Sequence, residues 1–283
     1  MDYIITLSCP DKSGLVLAVS SWLVANACNI LDSDQFRDGS NNTFFMRVHF
    51  EGEGEGEEKL KALEHSFKPV ATANEMSWQI WPCSEKPKVV IMVSKQEHCL
   101  TDLLFREKNS ELPIEIALIV SNHLDAKPIA AAEDIDFLHL PIDPDTKTAQ
   151  EKLLLGEIER RNINVVVLAR YMQVLSPGFC HAMAGKIINI HHSFLPGFKG
   201  AKPYHQAFEH GVKLIGATAH YVTAELDEGP IIEQGIERVD HRSTVSDLVN
   251  VGRDIERIVL AKAVKYHAEH RVVLNGHRTV VFQ

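Results

Sequence analysis

Residues 88–94 read KVVIMVS, with five consecutive apolar side chains between Lys88 and Ser94. Two comparable runs follow along the chain, IALIV at 116–120 and VVVLA at 165–169. A strand that faces water on one side alternates apolar and polar residues, whereas a strand buried on both faces reads as a continuous apolar run. The three runs therefore predict parallel strands in a sheet that is covered on both sides.

Stretches with helical periodicity separate these runs. Residues 148–161, for example, carry Leu153, Leu154 and Ile158 at the spacing of one helix face. Alternation of strand and helix is typical of an open, mostly parallel sheet with helices on both faces. We therefore predict a Rossmann-like α/β domain.

The first 81 residues follow a different pattern. A β-prone run at 3–7 precedes a helix that opens after Ser13-Gly14, and a second β-prone run spans 29–36. Residues 44–50 alternate apolar and polar side chains, which predicts a strand buried on one face. With a further helix and strand, the order is βαββαβ, the ferredoxin-like arrangement of an antiparallel sheet with two helices on one face.

A short linker with two prolines, at 82–87, separates the two patterns. We place the boundary within it, giving an N-terminal domain of residues 1–84 and a larger domain of residues 85–283. The excess of acidic over basic side chains is concentrated in the N-terminal part of the chain: residues 1–85 hold 6 basic and 13 acidic side chains, out of 29 and 38 in the whole chain. Neither part has the basic excess that binding to a phosphate backbone requires, so nucleic acid is not an expected partner.

The chain reads as a cytoplasmic protein. No apolar run approaches the ~20 residues that span a bilayer, and the acidic N-terminus does not resemble a signal peptide. The five cysteines are odd in number and widely spaced, which fits neither a disulfide framework nor a zinc site. We expect them to be reduced, as is usual in the cytoplasm.

The segment IINIHHSFLPGFKG at 187–200 contains the candidate catalytic residues. In a strand, alternate side chains point to the same face, so Asn189 and His191 point together. Sites in open α/β sheets form beyond the carboxyl ends of strands, where the Pro- and Gly-containing loop follows here. An amide donor beside an imidazole can stabilise an oxyanion and move a proton. The pair therefore predicts an active site at this strand end.

A metal site is the alternative that the adjacent His191 and His192 raise. Neighbouring residues on a strand point to opposite faces, and no Cys or further His lies at a ligand spacing. We therefore expect no metal.

Asp227, in the segment LDEGPII at 226–232, would by itself be only a turn residue before Gly-Pro.

Taken together, residues 86–283 resemble the folate-dependent formyltransferase family. The matching segments, in order, are LARYMQVLS at 168–176, NIH at 189–191 with Ser193, LP at 195–196, FKG at 198–200, GATAH at 216–220, and Asp227 with Gly229. The resemblance implies that Asn189 and His191 polarise a formyl group and hold its tetrahedral intermediate, and that Asp227 orients His191 and relays protons. It also implies a folate pocket lined by Arg170, Tyr171, Met172, Val174, Leu175 and Ile187.

The N-terminal domain resembles an ACT domain through PDKSG at 10–14, the helix after it and Asn29-Ile30. Such domains bind a free amino acid between paired copies and regulate an attached enzyme. The resemblance implies an effector, methionine or glycine, held by Asp11, Gly14, Asn29 and Ile30, and a homo-oligomer that is a dimer of dimers. A dimerisation module without a ligand stays open as the alternative.

The acceptor of the formyl group distinguishes members of the formyltransferase family. The purine-pathway transformylase cradles the phosphate of its acceptor in a Gly- and Ser-rich loop after its first strand. Here residues 94–99 read SKQEHC, with no glycine and one carboxylate, so a phosphorylated acceptor would be held poorly. Water is then the simplest acceptor, and His192 and the fused ACT-like domain also fit the deformylase branch of the family.

The expected reaction is therefore hydrolysis of 10-formyltetrahydrofolate to formate and tetrahydrofolate, which would supply formate and balance the one-carbon folate pool for purine biosynthesis. Folate is the substrate, and no cofactor is expected. Formyl transfer to an amine such as glycinamide ribonucleotide is the first alternative. A non-catalytic folate or amino-acid sensor is the second.

Overall fold

The computed structural model describes residues 1–54, 56–143, 145–197 and 203–283. These form two compact units. The first unit comprises residues 1–86 together with 269–275 and 280–283, and the second comprises residues 87–268 with 276–279. The boundary between residues 84 and 85 stays a prediction.

The first unit has the ferredoxin-like fold that the sequence predicts. Its antiparallel sheet has the strand order β2-β3-β1-β4. A core of aromatic and aliphatic side chains, including Leu23, Phe50 and Phe67, lies between the sheet and the helices. The elements are β1 (Asp2–Pro10), α1 (Leu15–Ala25), β2 (Cys28–Asp38), β3 (Thr43–Gly52), α2 (Glu57–Ala73) and β4 (Ser77–Pro82).

Strand β3 is buried on both faces, so the prediction of a half-buried strand was wrong. Phe45 and Arg47, on the face expected to meet water, are both buried. Phe45 packs with Val280 and Phe282, and the Arg47 guanidinium donates hydrogen bonds to the backbone oxygen of Glu269. Residues from the end of the chain cover this second face of β3, and the alternation of side chains within the strand does not reveal such a remote contact.

The second unit is built on one seven-stranded sheet with the order β11-β10-β9-β8-β5-β6-β7. Its strands are β5 (Lys88–Val93), β6 (Glu115–Ser121), β7 (Phe137–His139), β8 (Val165–Leu168), β9 (Ile187–His191), β10 (Leu214–Tyr221) and β11 (Ile231–Arg238). The helices are α3 (His98–Lys108), α4 (Lys127–Ala132), α5 (Lys147–Arg160), α6 (Pro177–Ala182), α7 (Pro203–Glu209) and α8 (Val245–Ala268). The chain ends in a hairpin of β12 (Val272–Asn275) and β13 (Arg278–Val281).

The topology of this sheet places the carboxyl ends of its parallel strands on the same side of the domain. Strands β7, β6, β5, β8 and β9 run parallel, whereas β10 runs antiparallel to both β9 and β11. The three apolar runs of the sequence form β5, β6 and β8, and the mostly parallel α/β fold is confirmed. The carboxyl ends of β8 and β9 therefore lie side by side, where such folds bind ligands.

All five cysteines are free. Among the residues that the structure describes, none of the helices combines the length and apolarity needed to cross a membrane.

Candidate active site

Asn189 and His191 line one cavity at the carboxyl end of β9. Both side chains come from the same face of the strand, and β10 pairs alongside, with His220 opposite Asn189 and Thr218 opposite His191. His191 is buried and Asn189 is partly exposed to the cavity. The strand thus presents an amide and an imidazole to the same small space.

Asp227 lies beside His191. Its Oδ1 atom is 3.3 Å from Nδ1 of His191, and the side chain is nearly buried. The hydrogen bond from His191 is the main reason that the pKa of Asp227 is lowered, against the opposing effect of burial. The carboxylate is therefore ionised at neutral pH, and it holds the proton of the imidazole on Nδ1.

The loop that carries Asp227 is folded tightly against β10. Asp227 has a left-handed backbone conformation, with φ at 58°, which costs free energy for a residue other than glycine. Two residues later, a Cβ atom on Gly229 would overlap the backbone oxygen of Tyr221 and approach Nδ1 of His220 to 3.3 Å. Glycine at position 229 therefore permits the close approach that brings the carboxylate to His191.

His220, in the segment GATAH at 216–220, is a site residue to which the sequence alone assigns no role. Its Nε2 atom is 3.1 Å from Nδ2 of Asn189, and its Nδ1 atom is 2.9 Å from the backbone oxygen of Tyr221. Burial lowers the pKa of His220, so the ring is neutral. Since Nδ1 faces a carbonyl oxygen, it carries the proton, and Nε2 accepts a hydrogen bond from Asn189.

The cavity has a volume of about 250 Å³ and lies between two loops. One loop follows β8 and supplies five of the six predicted pocket residues, Arg170, Tyr171, Met172, Val174 and Leu175. The other comprises residues 222–227. Ile187 does not line the cavity. It lies two residues before Asn189, further from the carboxyl end of β9, and its side chain is fully buried in the core.

Behind Arg170 lies a buried carboxylate, Glu256 of α8. Glu256 accepts hydrogen bonds from Tyr204 at 2.7 Å and from His98 at 2.8 Å, and Nε of Arg170 is 3.4 Å away. Burial alone would raise the pKa of Glu256, but these two hydrogen bonds and the charge of Arg170 outweigh it and lower the pKa. Gly252 makes room for this arrangement, because a Cβ atom there would overlap the ring of Tyr204.

His98, Cys99 and Glu256 are the group of described residues close enough to hold a metal ion, with ligand atoms within 4.8 Å of one another. Burial keeps the pKa of Cys99 well above its ordinary value, so its sulfur is a thiol and a poor ligand. Both oxygens of Glu256 already accept hydrogen bonds. The donor set therefore does not fit a metal ion, and the group acts as a hydrogen-bonded cluster.

The loop after β5 contains no glycine between Ser94 and Cys99, and its polar side chains bond to neighbouring groups. Ser94 Oγ donates to Asn122 and accepts from the backbone N–H of Met172, and Gln96 accepts a weak hydrogen bond from Arg170. These side chains tie the loop to its neighbours. The motif residues Phe198, Lys199 and Gly200 lie outside the described residues.

The four residues predicted to hold an effector lie in the first unit. Asp11 forms an ion pair with Arg37 at 2.5 Å, and Asn29 donates to Glu51 at 3.0 Å. Gly14 immediately precedes α1 with φ at 90°, a conformation that favours glycine, and Ile30 is partly exposed on β2. Their role in binding an amino acid stays a prediction.

Comparison with known proteins identifies two families along the chain. Residues 2–80 match the ACT domain model, and residues 87–264 match the formyl transferase model. A formyltetrahydrofolate deformylase from Corynebacterium sp. (strain P-1) is 50% identical over 99% of this chain and 98% of its own length.

Solved structures agree with this division. The formyltetrahydrofolate deformylase of Burkholderia mallei is 52% identical and superposes with a TM-score of 0.94, over 100% of this chain and 99% of that one. Glycinamide ribonucleotide transformylase 1 from Symbiobacterium toebii is 31% identical with a TM-score of 0.66, over 70% of this chain and 95% of its own. The similarity to a deformylase thus extends over both units.

Proposed function

This chain belongs to the formyl transferase family, with an ACT domain at its N-terminus, and we propose that it hydrolyses 10-formyltetrahydrofolate to tetrahydrofolate and formate. The observation that carries the proposal is the constellation of Asn189, His191 and Asp227 in one cavity, within a chain that is similar to deformylases over its whole length. Hydrolysis of the formamide makes the protein a hydrolase acting on a C–N bond.

In the first step, the formyl oxygen accepts a hydrogen bond from the Nδ2 group of Asn189. His220 occupies one hydrogen of that amide, which leaves the other for the substrate. Water attacks the formyl carbon, and its proton passes to Nε2 of His191, whose Nδ1 group is held by Asp227; the protonated ring then donates a hydrogen bond to the oxyanion. Because the developing oxyanion gains more from fixed donors than the neutral carbonyl does, the barrier to attack falls.

In the second step, the tetrahedral intermediate collapses. His191 delivers a proton to the folate nitrogen, the C–N bond breaks, and tetrahydrofolate and formic acid separate. Formic acid loses its proton to become formate. The ionised Asp227 stabilises the imidazolium form of His191 between these two proton transfers, since its carboxylate faces Nδ1.

Water is the acceptor that the surroundings favour. The loop of residues 94–99 has no glycine and carries the carboxylate of Glu97, and the side chains of Ser94 and Gln96 are engaged with neighbouring groups. The solved transformylase covers 70% of this chain, whereas the solved deformylase covers all of it. The folate itself is held by the loop that follows β8 and by residues 222–227.

The test is an assay of formate and tetrahydrofolate release from 10-formyltetrahydrofolate, with and without glycinamide ribonucleotide. We expect equal turnover under both conditions. Turnover that requires the amine would assign a transformylase instead. An Asn189→Ala variant should lose about 10²–10³ in kcat, the usual cost of one oxyanion donor, while Asn164→Ala, an exposed asparagine, serves as the matched control.

The finer properties follow from the same proposal. The reaction uses no cofactor, so dialysis against a chelator should leave activity unchanged. The first unit binds an amino acid, methionine or glycine, near Asp11 and Asn29, and paired ACT domains make the protein a cytoplasmic dimer of dimers. Activity with each amino acid added and sedimentation of the full chain test these two statements.

A further inference from the structure

His192 lines the catalytic cavity but takes no part in the two proton transfers of the proposed reaction. Strand β9 ends at His191, so His192 follows just beyond the strand. The alternation that separates neighbouring residues within a strand therefore does not apply to this pair. Both imidazole rings line the same cavity, and their centroids are 5.3 Å apart.

The ring nitrogens of His192 are available to a molecule in the cavity. No residue that the structure describes forms a hydrogen bond with either nitrogen. Neither nitrogen, however, is one of the buried side-chain atoms that are left without a partner. Each nitrogen therefore has accessible surface, and because the residue is 9% exposed and lines the cavity, this surface opens into the cavity.

Packing fixes the plane of the His192 ring. The ring of Tyr204 meets it edge to face, with 6.3 Å between the centroids. The hydroxyl of Tyr204 donates a hydrogen bond of 2.7 Å to the buried carboxylate of Glu256, and Gly252 leaves the space that the Tyr204 ring occupies. His192 is thus held between Tyr204 and His191, and its nitrogens are presented in one orientation.

The surroundings keep the His192 ring neutral. Burial and, next, the charge of Arg170 lower the pKa of His192 to about 3, against an opposing effect of Glu256. A neutral imidazole has one protonated nitrogen and one with a free lone pair, so it accepts a hydrogen bond. Because its pKa is so low, His192 does not take up a proton at neutral pH, and His191, paired with Asp227, remains the base.

We propose that His192 holds the attacking water by accepting a hydrogen bond from it, while His191 removes the other hydrogen of that water. This proposal rests on the proposed hydrolysis. Two hydrogen bonds of about 2.8 Å let one water bridge nitrogens up to about 5.5 Å apart, and the two rings lie close enough for such a bridge. The water oxygen bonds to the formyl carbon, one proton passes to His191, and the remaining hydrogen stays on the oxygen in its bond to His192. With both hydrogens engaged, the water directs a lone pair at the carbon.

Two variants of His192 separate hydrogen bonding from packing. His192→Phe keeps an aromatic ring against Tyr204 and removes both nitrogens, whereas His192→Gln removes the ring and keeps a hydrogen-bond acceptor. We expect kcat to fall about tenfold or more in His192→Phe, with a smaller loss in His192→Gln and KM nearly unchanged in both. Activity in His192→Phe equal to or above that of His192→Gln would overturn the proposal, because packing alone would then explain the residue.

His241→Phe, at an exposed histidine, is the matched control and should leave kcat unchanged. Thermal unfolding of all three variants checks that they are folded.

A crystal structure of the native protein with tetrahydrofolate separates this proposal from the proposed function. We expect an ordered water within about 3.2 Å of a ring nitrogen of His191 and of His192, and no such water in His192→Phe. A native structure without this water, or the same water in the variant, would overturn the water site even where formate is released. A native protein that releases no formate from 10-formyltetrahydrofolate would contradict hydrolysis, and a water bound between the two histidines would still support the site.

Discussion

Nδ2 of Asn189 lies 3.1 Å from Nε2 of His220, and this contact determines which end of the amide faces the substrate. His220 donates from Nδ1 to the backbone oxygen of Tyr221, so Nε2 is an acceptor. It therefore pairs with the NH₂ group of Asn189 and not with its oxygen. An asparagine without such a neighbour could present either end to a formyl oxygen, and only the NH₂ end stabilises negative charge.

Replacement of His220 by leucine should lower kcat and leave KM nearly unchanged. The orienting hydrogen bond contributes about 1 kcal/mol, which corresponds to roughly a fivefold loss in rate if it acts mainly in the transition state. Steady-state kinetics measure the effect, with thermal unfolding as a check that the variant is folded. A raised KM with unchanged kcat would show that His220 shapes the pocket instead.

Replacement of Asp227 by asparagine should reduce kcat by about 10²-fold or more, the range of general acid–base effects. The amide keeps the size of the side chain and can still accept from Nδ1 of His191, but it cannot stabilise the imidazolium. Asp240→Asn, at a partly exposed aspartate outside the site, is the matched control. Activity within twofold of the native protein would exclude a role for this carboxylate in proton transfer.

Stability should fall as the solution becomes acidic. Burial holds the pKa of His192 at about 3 in the folded protein, against 6.5 for a free histidine, and burial also lowers the pKa of His220. Below pH 6.5 the unfolded chain binds more protons than the folded chain, so the free energy of unfolding is greatest above pH 6.5 and declines towards pH 3. Each histidine contributes a slope of up to about 1.4 kcal/mol per pH unit.

Urea titrations at several pH values check this slope. His192→Gln removes one of the buried histidines whose pKa is lowered, so its free energy of unfolding should depend less steeply on pH than that of the native protein. Identical slopes would mean that His192 has the same pKa in the folded and in the unfolded protein.

Replacement of Phe45 by alanine should destabilise the first unit by about 3–5 kcal/mol, the usual cost of deleting a buried aromatic ring. Phe45 is 2% exposed and packs with Val280 and Phe282. All three tryptophans lie in this unit, so their fluorescence reports its unfolding. Phe105→Ala, at a phenylalanine that is 62% exposed, is the control, and equal midpoints for the two variants would contradict the packing described.

Features that depend on neighbouring residues were predictable from the sequence. Alternation along β9 directs Asn189 and His191 to the same side, and the apolar runs identify β5, β6 and β8, because both patterns follow from the geometry of a strand. Asp227 was different. No local spacing connects it to His191, and only the resemblance to the formyltransferase family suggested that they meet.

Features that depend on remote contacts were not predictable. The second face of β3 is covered by residues from the end of the chain, which changes nothing in the alternation of the strand itself. Ile187 carries the same period as Asn189, yet it lies deeper in the sheet and not in the cavity. His220 received no role because its function depends on a hydrogen bond to another strand.

Hydrolysis of 10-formyltetrahydrofolate in heavy-oxygen water tests the central claim most directly. If water attacks the formyl carbon in the cavity of Asn189, His191 and Asp227, each formate released carries one heavy oxygen, and formate and tetrahydrofolate appear in equal amounts with no amine present. Formate without heavy oxygen, or release that begins only when an amine acceptor is added, would contradict direct hydrolysis.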